Sequence, residues 1–350
     1  MCGTSRTSDR RHAYPASTGG RCRSTTPETM TLVICPNLAL DRVLAAGSVR
    51  PGGITRGRVL RVQAGGKGAN VLRATLALGG AGRLLGFASG PGGHLIAGLA
   101  ADEGLELEPV ETDGEARVST VVLADDGSVT RLYEFGPEMT AGDEQRLVVL
   151  AGRTPAQPGE WAVIDGAAPP GVSAGFYAAL TRAARGAGYR VLVDATDQHL
   201  AAALAAGAEL VKVNLAEACS VVGGAAQACA DEKDGAPEQL AAEGLELCRR
   251  LVAAGAGGAV LTLGAAGAVA LLDGAEWRVT TPAVRAVNPV GSGDCFAAAL
   301  VLALQRGDDT ATALRLAGAA GAANAASALT GHLDPVLASR LAGRSRAGRP

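Results

Sequence analysis

"WAVIDGAAPPGVSAGFYAALTRAARGAGYRVLVDAT", residues 161–196, decides the fold. A short apolar run, "WAVIDG" (161–166), is followed by a Pro- and Gly-bearing turn and by the helix-forming "SAGFYAALTRAARGAG" (173–188), and then by the β-branched "RVLVDAT" (190–196). Two buried strands joined through a helix have to lie parallel, because a crossover of this length is not a hairpin. The segment therefore predicts an α/β protein with a mainly parallel sheet.

The same rhythm runs outward in both directions. Upstream are "TLVIC" (31–35), "NVLRATLALGG" (70–80), "RLLGFAS" (83–89) and "HLIAGLAADEG" (94–104); downstream are "AELVKVN" (208–214), "QLAAEGLELCRRLVAAG" (239–255), "GAVLTLG" (258–264) and "AVALLDG" (268–274). Two stretches depart from it, about 42–63 and 116–135, the second carrying a "DDGS" hairpin turn; both read as antiparallel strands of a separate small sheet. Residues 1–29 are polar and aperiodic, so a disordered N-terminal extension is expected there, with Met30 as the natural start. The domain is expected over 30–335, with a flexible tail at 336–350 and a mobile, low-complexity loop at about 224–238.

Composition narrows the function. A formal charge of -2 without basic runs in the body gives no footprint for nucleic acid or an anionic membrane, which leaves small-molecule ligands. No apolar stretch reaches the roughly 18 residues of a spanning helix. Seven scattered cysteines without a CxxC pair argue against a disulfide framework or a structural zinc site and fit a reducing cytoplasm. Only Lys67, Lys212 and Lys233 of the 32 basic residues are lysines, so a lysine is informative here.

Four motifs carry candidate chemistry. In "QAGGKGAN" (63–70), Gly65, Gly66 and Gly68 surround Lys67 before a helix; this is either a backbone cradle for a polar ligand or a tight strand-to-helix turn, and it is not a Walker A loop. In "NPVGSGD" (288–294), Gly291, Ser292 and Gly293 precede Asp294 at a helix mouth, whose free N–H groups carry about half a positive charge. An isolated Asp there would be a helix cap; behind so bare a loop it can instead accept a hydroxyl proton beside bound phosphate oxygens. "VKVNLAEA" (211–218) offers Lys212, Asn214 and Glu217, either a helix start with a favourable acid or partners of a hydrated magnesium ion. "LTLGAAGAV" (261–269) is a glycine turn of a kind expected by chance in so glycine-rich a chain.

Taken in order, "PNLALD" (36–41), "GGKGAN" (65–70), "VNLAE" (213–217), "TLGAAGA" (262–268) and "NPVGSGD" (288–294) resemble the PfkB or ribokinase-like carbohydrate kinases, most closely their 1-phosphofructokinase and tagatose-6-phosphate kinase branch. The resemblance implies a ribokinase-like three-layer α/β/α fold with a small β-sheet lid, and a homodimer through that lid. It implies ATP and Mg2+ as cofactors and a sugar or sugar phosphate as substrate. Asp294 becomes the catalytic base, and the backbone of Gly291, Ser292 and Gly293 the hole for transferring charge. Asp41, Gly65, Gly66, Lys67, Asn70, Arg117 and Asp194 fall to the sugar. Lys212, Asn214, Thr262, Gly264, Gly267, Gly318 and Ala322 fall to the nucleotide, and Glu217 to the metal.

Three departures bear on the substrate. "VSTV" (118–121) lacks the Asn and Lys of the branch's "NVK"; Asp165 and Ala167 replace the serines of "SGSLPPG"; and "DATD" replaces "DTSG". A kinase for an unphosphorylated sugar or nucleoside, and a non-catalytic sugar-phosphate sensor, therefore remain as alternatives. A dehydrogenase does not, because no GxGxxG follows the first strand.

Overall fold

The computed structural model of the protein describes residues 29–223 and 236–350. The expected N-terminal extension and most of the expected loop lie outside these residues, and Pro237 and Glu238, expected in that loop, already belong to a helix. A ten-stranded sheet forms the centre. Its strands are β1 (Met30–Cys35), β4 (Ala81–Ser89), β5 (Leu107–Thr112), β8 (Trp161–Asp165), β9 (Arg190–Asp194), β10 (Leu210–Asn214), β11 (Ala259–Thr262), β12 (Ala268–Leu272), β13 (Ala275–Thr280) and β14 (Arg346–Gly348), in the order β14-β13-β12-β11-β10-β9-β8-β1-β4-β5. From β11 to β5 every pair is parallel; β12, β13 and β14 add an antiparallel flank.

The strands read as apolar runs because both faces of the sheet are covered. Along β1 the side chains alternate, Leu32 and Ile34 entering one core and Val33 and Cys35 the other. One face carries α1 (Lys67–Ala77), α2 (Gly90–Asp102), α8 (Ser292–Gln305), α9 (Thr310–Ala325) and α10 (Pro335–Ala342). The other carries α3 (Ala141–Arg153), α4 (Phe176–Gly186), α5 (Asp197–Ala205), α6 (Leu215–Val222) and α7 (Pro237–Ala253). Helix α8 is buried from Asp294 to Ala303, wedged between α1 and α9, which is why its sequence is apolar on every side. This is the expected three-layer α/β/α fold. No described helix is long and apolar enough to cross a membrane.

The second sheet has four strands, β2 (Ala39–Ala46), β3 (Arg58–Gly65), β6 (Arg117–Ala124) and β7 (Val129–Tyr133), in the order β3-β2-β6-β7. Each expected hairpin is antiparallel, but the two hairpins join in parallel, from Ala39 opposite Arg117 to Ala46 opposite Ala124. Strands β2 and β6 follow the parallel strands β1 and β5, so both leave the large sheet from the same edge and run the same way.

The tail expected to be flexible at 336–350 is ordered. Asp334 accepts the Val336 N–H at 2.8 Å and Pro335 opens α10, whose Ala338, Leu341 and Ala342 are buried in the core. Residues 346–348 then pair with β13. The start signal "DPV" and the apolar spacing of "VLASRLA" outweigh the polar ends of this segment.

Candidate active site

The C-terminal ends of the parallel strands meet three helix starts. Asp165 ends β8 and Asp194 ends β9, and the parallel register sets these two residues side by side. Lys67 is the first residue of α1, one place nearer the helix than the expected loop position. Helix α8 begins at Ser292 after Gly291, which has φ 87°, a left-handed conformation suited to glycine. Asp294 therefore sits inside the first turn, and no side-chain capping bond forms at this helix start. Of the expected backbone donors, the Ser292 N–H is spent on the Pro289 carbonyl at 3.1 Å. The N–H groups of Gly291, Gly293 and Asp294 have no acceptor among the described residues. The helix mouth thus keeps free donors beside a carboxylate.

Two of the chain's three lysines converge on one acid; Lys233 lies outside the described residues. Lys67 Nζ donates to Asp194 Oδ1 at 2.7 Å and to Glu217 Oε1 at 3.2 Å, while Lys212 Nζ donates to Asp194 Oδ2 and to the Gly293 carbonyl at 3.2 Å. Burial alone would push the Asp194 carboxyl up, but the two ammonium groups hold it below the usual carboxylate range. One carboxylate oxygen each of Asp165, Asp194 and Asp294 lies within 4.8 Å of the others. Three acids against two ammonium groups leave one charge unmatched. Asp165 is the acid without a partner: it is fully buried, neither of its oxygens meets a donor, and burial together with Asp194 and Asp294 drives its carboxyl well above the ordinary range.

Asp294 is also raised, first by burial, with Lys67 and Lys212 pulling it back. Its Oδ2 accepts from Asn70 Nδ2 at 2.8 Å, and no described residue donates to Oδ1. Asn70, expected at the sugar, is 4% exposed and supplies that donor. On the lid side, Asp41 lies directly over Gly65: a Cβ there would fall 2.1 Å from the Asp41 carboxyl carbon. Burial raises Asp41 to about 6, with Arg117 and Arg73 opposing the rise. Arg117 donates from Nη2 to the Asn37 carbonyl at 2.8 Å and from Nη1 to Ser119 Oγ at 3.1 Å. A neighbouring cavity of about 590 Å³, lined by Asn37, Phe135, Pro169, Pro170, Asp197 and His199 among others, has no lysine or arginine in its wall.

The remaining expected positions spread away from this cluster. Asn214 and Thr262 end adjacent parallel strands side by side. Gly264 and Gly267 form the turn after β11, and Gly318 packs on Thr281, where a Cβ would lie 2.7 Å from Oγ1. Ala322 is half-buried against the core. Glu217 behaves first as a helix-start residue: Oε2 accepts the Asn214 N–H at 2.9 Å and Asn214 Oδ1 accepts the Glu217 N–H at 2.8 Å, a reciprocal cap. It stands outside the three-acid cluster.

Several contributors escaped the sequence reading. Asn324 Nδ2 holds the mouth loop by donating to Val290 O at 3.0 Å and to Ser292 Oγ at 3.1 Å, and Asn288 Oδ1 accepts the Val290 N–H. Asp165 was visible only as a departure from a motif. Arg73 and Glu103 carried no local signal, because their role depends on partners from other elements.

A carboxylate beside a helix mouth, with lysines at hand and a sheet that folds over the site, suits phosphoryl transfer to a hydroxyl, the chemistry of small-molecule kinases. The chain belongs to the pfkB family of carbohydrate kinases, ATP-dependent enzymes, whose family model matches residues 31–336. It is 32% identical over 305 residues to the ATP-dependent 6-phosphofructokinase isozyme 2 of Mycobacterium tuberculosis, covering 85% of this chain and 84% of that protein. To the 1-phosphofructokinase of Rhodobacter capsulatus it is 32% identical over 283 residues, covering 80% and 85%. The tetrameric inhibited form of phosphofructokinase-2 from Escherichia coli superposes with a TM-score of 0.79 at 26% identity, over 90% of this chain and 99% of that one.

Proposed function

We propose that the protein transfers the γ-phosphoryl group of ATP to a hydroxyl of a fructose or tagatose phosphate, with Asp294 as the base. The observation that carries this reading is the division of labour at the Asp294 carboxylate: Oδ2 is held by Asn70, and Oδ1 is left without a donor beside the free N–H groups of the α8 mouth. In the reaction the acceptor oxygen attacks phosphorus, the bond from phosphorus to the ADP oxygen breaks, and the hydroxyl proton passes to Asp294. The helix mouth receives the charge of the transferring group. Asp41 and Arg117 serve the sugar hydroxyls and its phosphate, and Asn214, Thr262, Gly264, Gly267, Gly318 and Ala322 serve the nucleotide.

Magnesium is assigned to Glu217 by the resemblance, and the support in the structure is that Oε1 accepts only from Lys67 and keeps a lone pair free. Bound there, the ion supplies neutralisation of phosphate charge. Exposed apolar side chains on the lid, Val59, Leu132, Tyr133 and Phe135, support a homodimer formed through it.

A coupled assay of ATP consumption against fructose 1-phosphate, tagatose 6-phosphate and fructose 6-phosphate tests the reading. One of these should turn over, and Asp294→Asn should lower kcat by about 100-fold or more with the melting temperature kept. A second reading, an unphosphorylated acceptor, draws on Arg117 being engaged with Asn37 and Ser119 and on "VST" supplying no lysine. Arg117→Ala would then leave KM for every phosphosugar unchanged.

A further inference from the structure

The Asp294 carboxylate is the visible end of a buried chain of hydrogen bonds that crosses from α8 through α1 to the end of α2. Asn70 Nδ2 donates to Asp294 Oδ2 at 2.8 Å, and Arg73 Nη1 donates to Asn70 Oδ1 at 2.9 Å. Arg73 Nε donates to Glu103 Oε2 at 2.7 Å, and Arg73 Nη2 to the Ala64 carbonyl at 2.6 Å. Glu103 Oε1 closes the circuit by accepting the Ala64 N–H at 3.1 Å. The Arg73 and Glu103 side chains are each 8% exposed, so this ion pair is held away from solvent.

An asparagine amide has two chemically opposite ends, and only one of them is compatible with a carboxylate neighbour. The Arg73 guanidinium has no acceptor atom, so whichever end of Asn70 faces it must be the oxygen. That choice turns the NH2 end to Asp294. Turned the other way, the Asn70 oxygen would face Asp294 Oδ2 and its NH2 would face a cation, so that both contacts become repulsive.

We propose that Arg73, braced by Glu103 and Ala64, is a positioning residue for the reaction: it fixes the orientation of the Asn70 amide and thereby commits Asp294 Oδ2 to Asn70, leaving Oδ1 as the oxygen that takes the substrate proton. The proposal rests on Asp294 acting as the base. Removing Arg73 or its brace frees the Asn70 amide to rotate. Asp294 then loses its donor, the carboxylate is less well aimed, and its affinity for protons rises. The other charged groups facing Asp294, namely Lys67 on α1, Lys212 on β10, Asp194 on β9, Asp165 on β8 and Asp41 on β2, are not altered by these substitutions.

The test measures kcat against pH, KM for ATP and for sugar phosphate, and melting temperature in Arg73→Lys, Glu103→Gln and Asn70→Ser, with Asp294→Asn alongside. Fructose 1-phosphate and fructose 6-phosphate are the acceptors. Lysine keeps the charge of Arg73 but not its forked geometry, and Asn70→Ser withdraws the Nδ2 donor to the shorter reach of a hydroxyl while leaving the Arg73–Glu103 pair whole. The expected result is a fall in kcat of about tenfold or more in all three, an acid limb of kcat moved to higher pH, and KM for ATP little changed. Folded variants with wild-type kcat and an unmoved acid limb would overturn the proposal, whatever their melting temperatures. Asn70→Ser decides alone if the buried pair does not tolerate substitution. Retention of wild-type kcat by Asp294→Asn would overturn the assignment of the base itself, an outcome distinct from failure of the positioning chain.

Discussion

Asp165 stands where the resembled motif has a serine, and its buried carboxyl has no donor within reach. Its proton affinity is raised in the folded chain above the value it has when unfolded, so the stability tied to that proton is fully present below the unfolded value and is lost as pH climbs toward the folded one. Asp165→Asn, neutral at every pH, should therefore gain stability relative to wild type as pH rises above the value an unfolded aspartate has. Chemical denaturation of the two proteins across pH checks it, and a constant difference would contradict it. If Asp41, raised to about 6, holds the sugar hydroxyls as proposed, both of its oxygens accept only in the ionised form, so KM for the sugar should climb as pH falls through 6. Initial rates at fixed saturating ATP show this directly, and a KM flat from pH 7 to 5 would refute it. Gly65→Ala should reach the same defect by another route, since its methyl group would occupy the position of the Asp41 carboxyl. The place of Asp294 at a helix mouth was legible from the bare loop before it. Arg73 and Glu103 were not: they lie 30 residues apart, and Asn70 meets Asp294 across 224 positions, so no local pattern records either contact.

Among the elements, those with strong periodicity or strong punctuation were readable, and their boundaries were displaced where a glycine already belongs to the helix. Helices α1 and α8 start at Lys67 and Ser292, earlier than a glycine's poor helix propensity suggests, because the strand ends beside them fix the first turn. Strand β5, "LEPVET", escaped notice: Pro109 and its two glutamates suit a sheet edge, where one side faces water and hydrogen bonds are needed only toward β4. Helix α3 was also missed, although Thr140 and Asp143 cap it reciprocally. The C-terminal helix α10 contributes to the core, with Leu341 alone worth about 2 kcal/mol of burial. Truncation after Asp334 should lower the melting temperature by several degrees at least, measured by calorimetry, and an unchanged transition would show that α10 packs without stabilising the domain.

The α/β class follows from the alternation of runs, and the three-layer architecture from strands apolar on both faces. The parallel joint between the lid hairpins was not legible, because strand direction depends on where each hairpin leaves the large sheet. The lid exposes Leu132, Tyr133 and Phe135 together at the end of β7, and a monomer would leave them in water. Sedimentation should show a dimer that Leu132→Asp dissociates, and a wild-type monomer at micromolar concentration would remove the lid interface. At the far end of the molecule, β14 is three residues long, begins at Arg346, and is followed by Arg349, whose guanidinium lies 4.5 Å from the centre of the Trp277 ring. So short and cationic a border gives another chain almost no backbone to zip onto. Strand β14 thus covers an edge of β13 that would otherwise be open to strand addition by a second molecule.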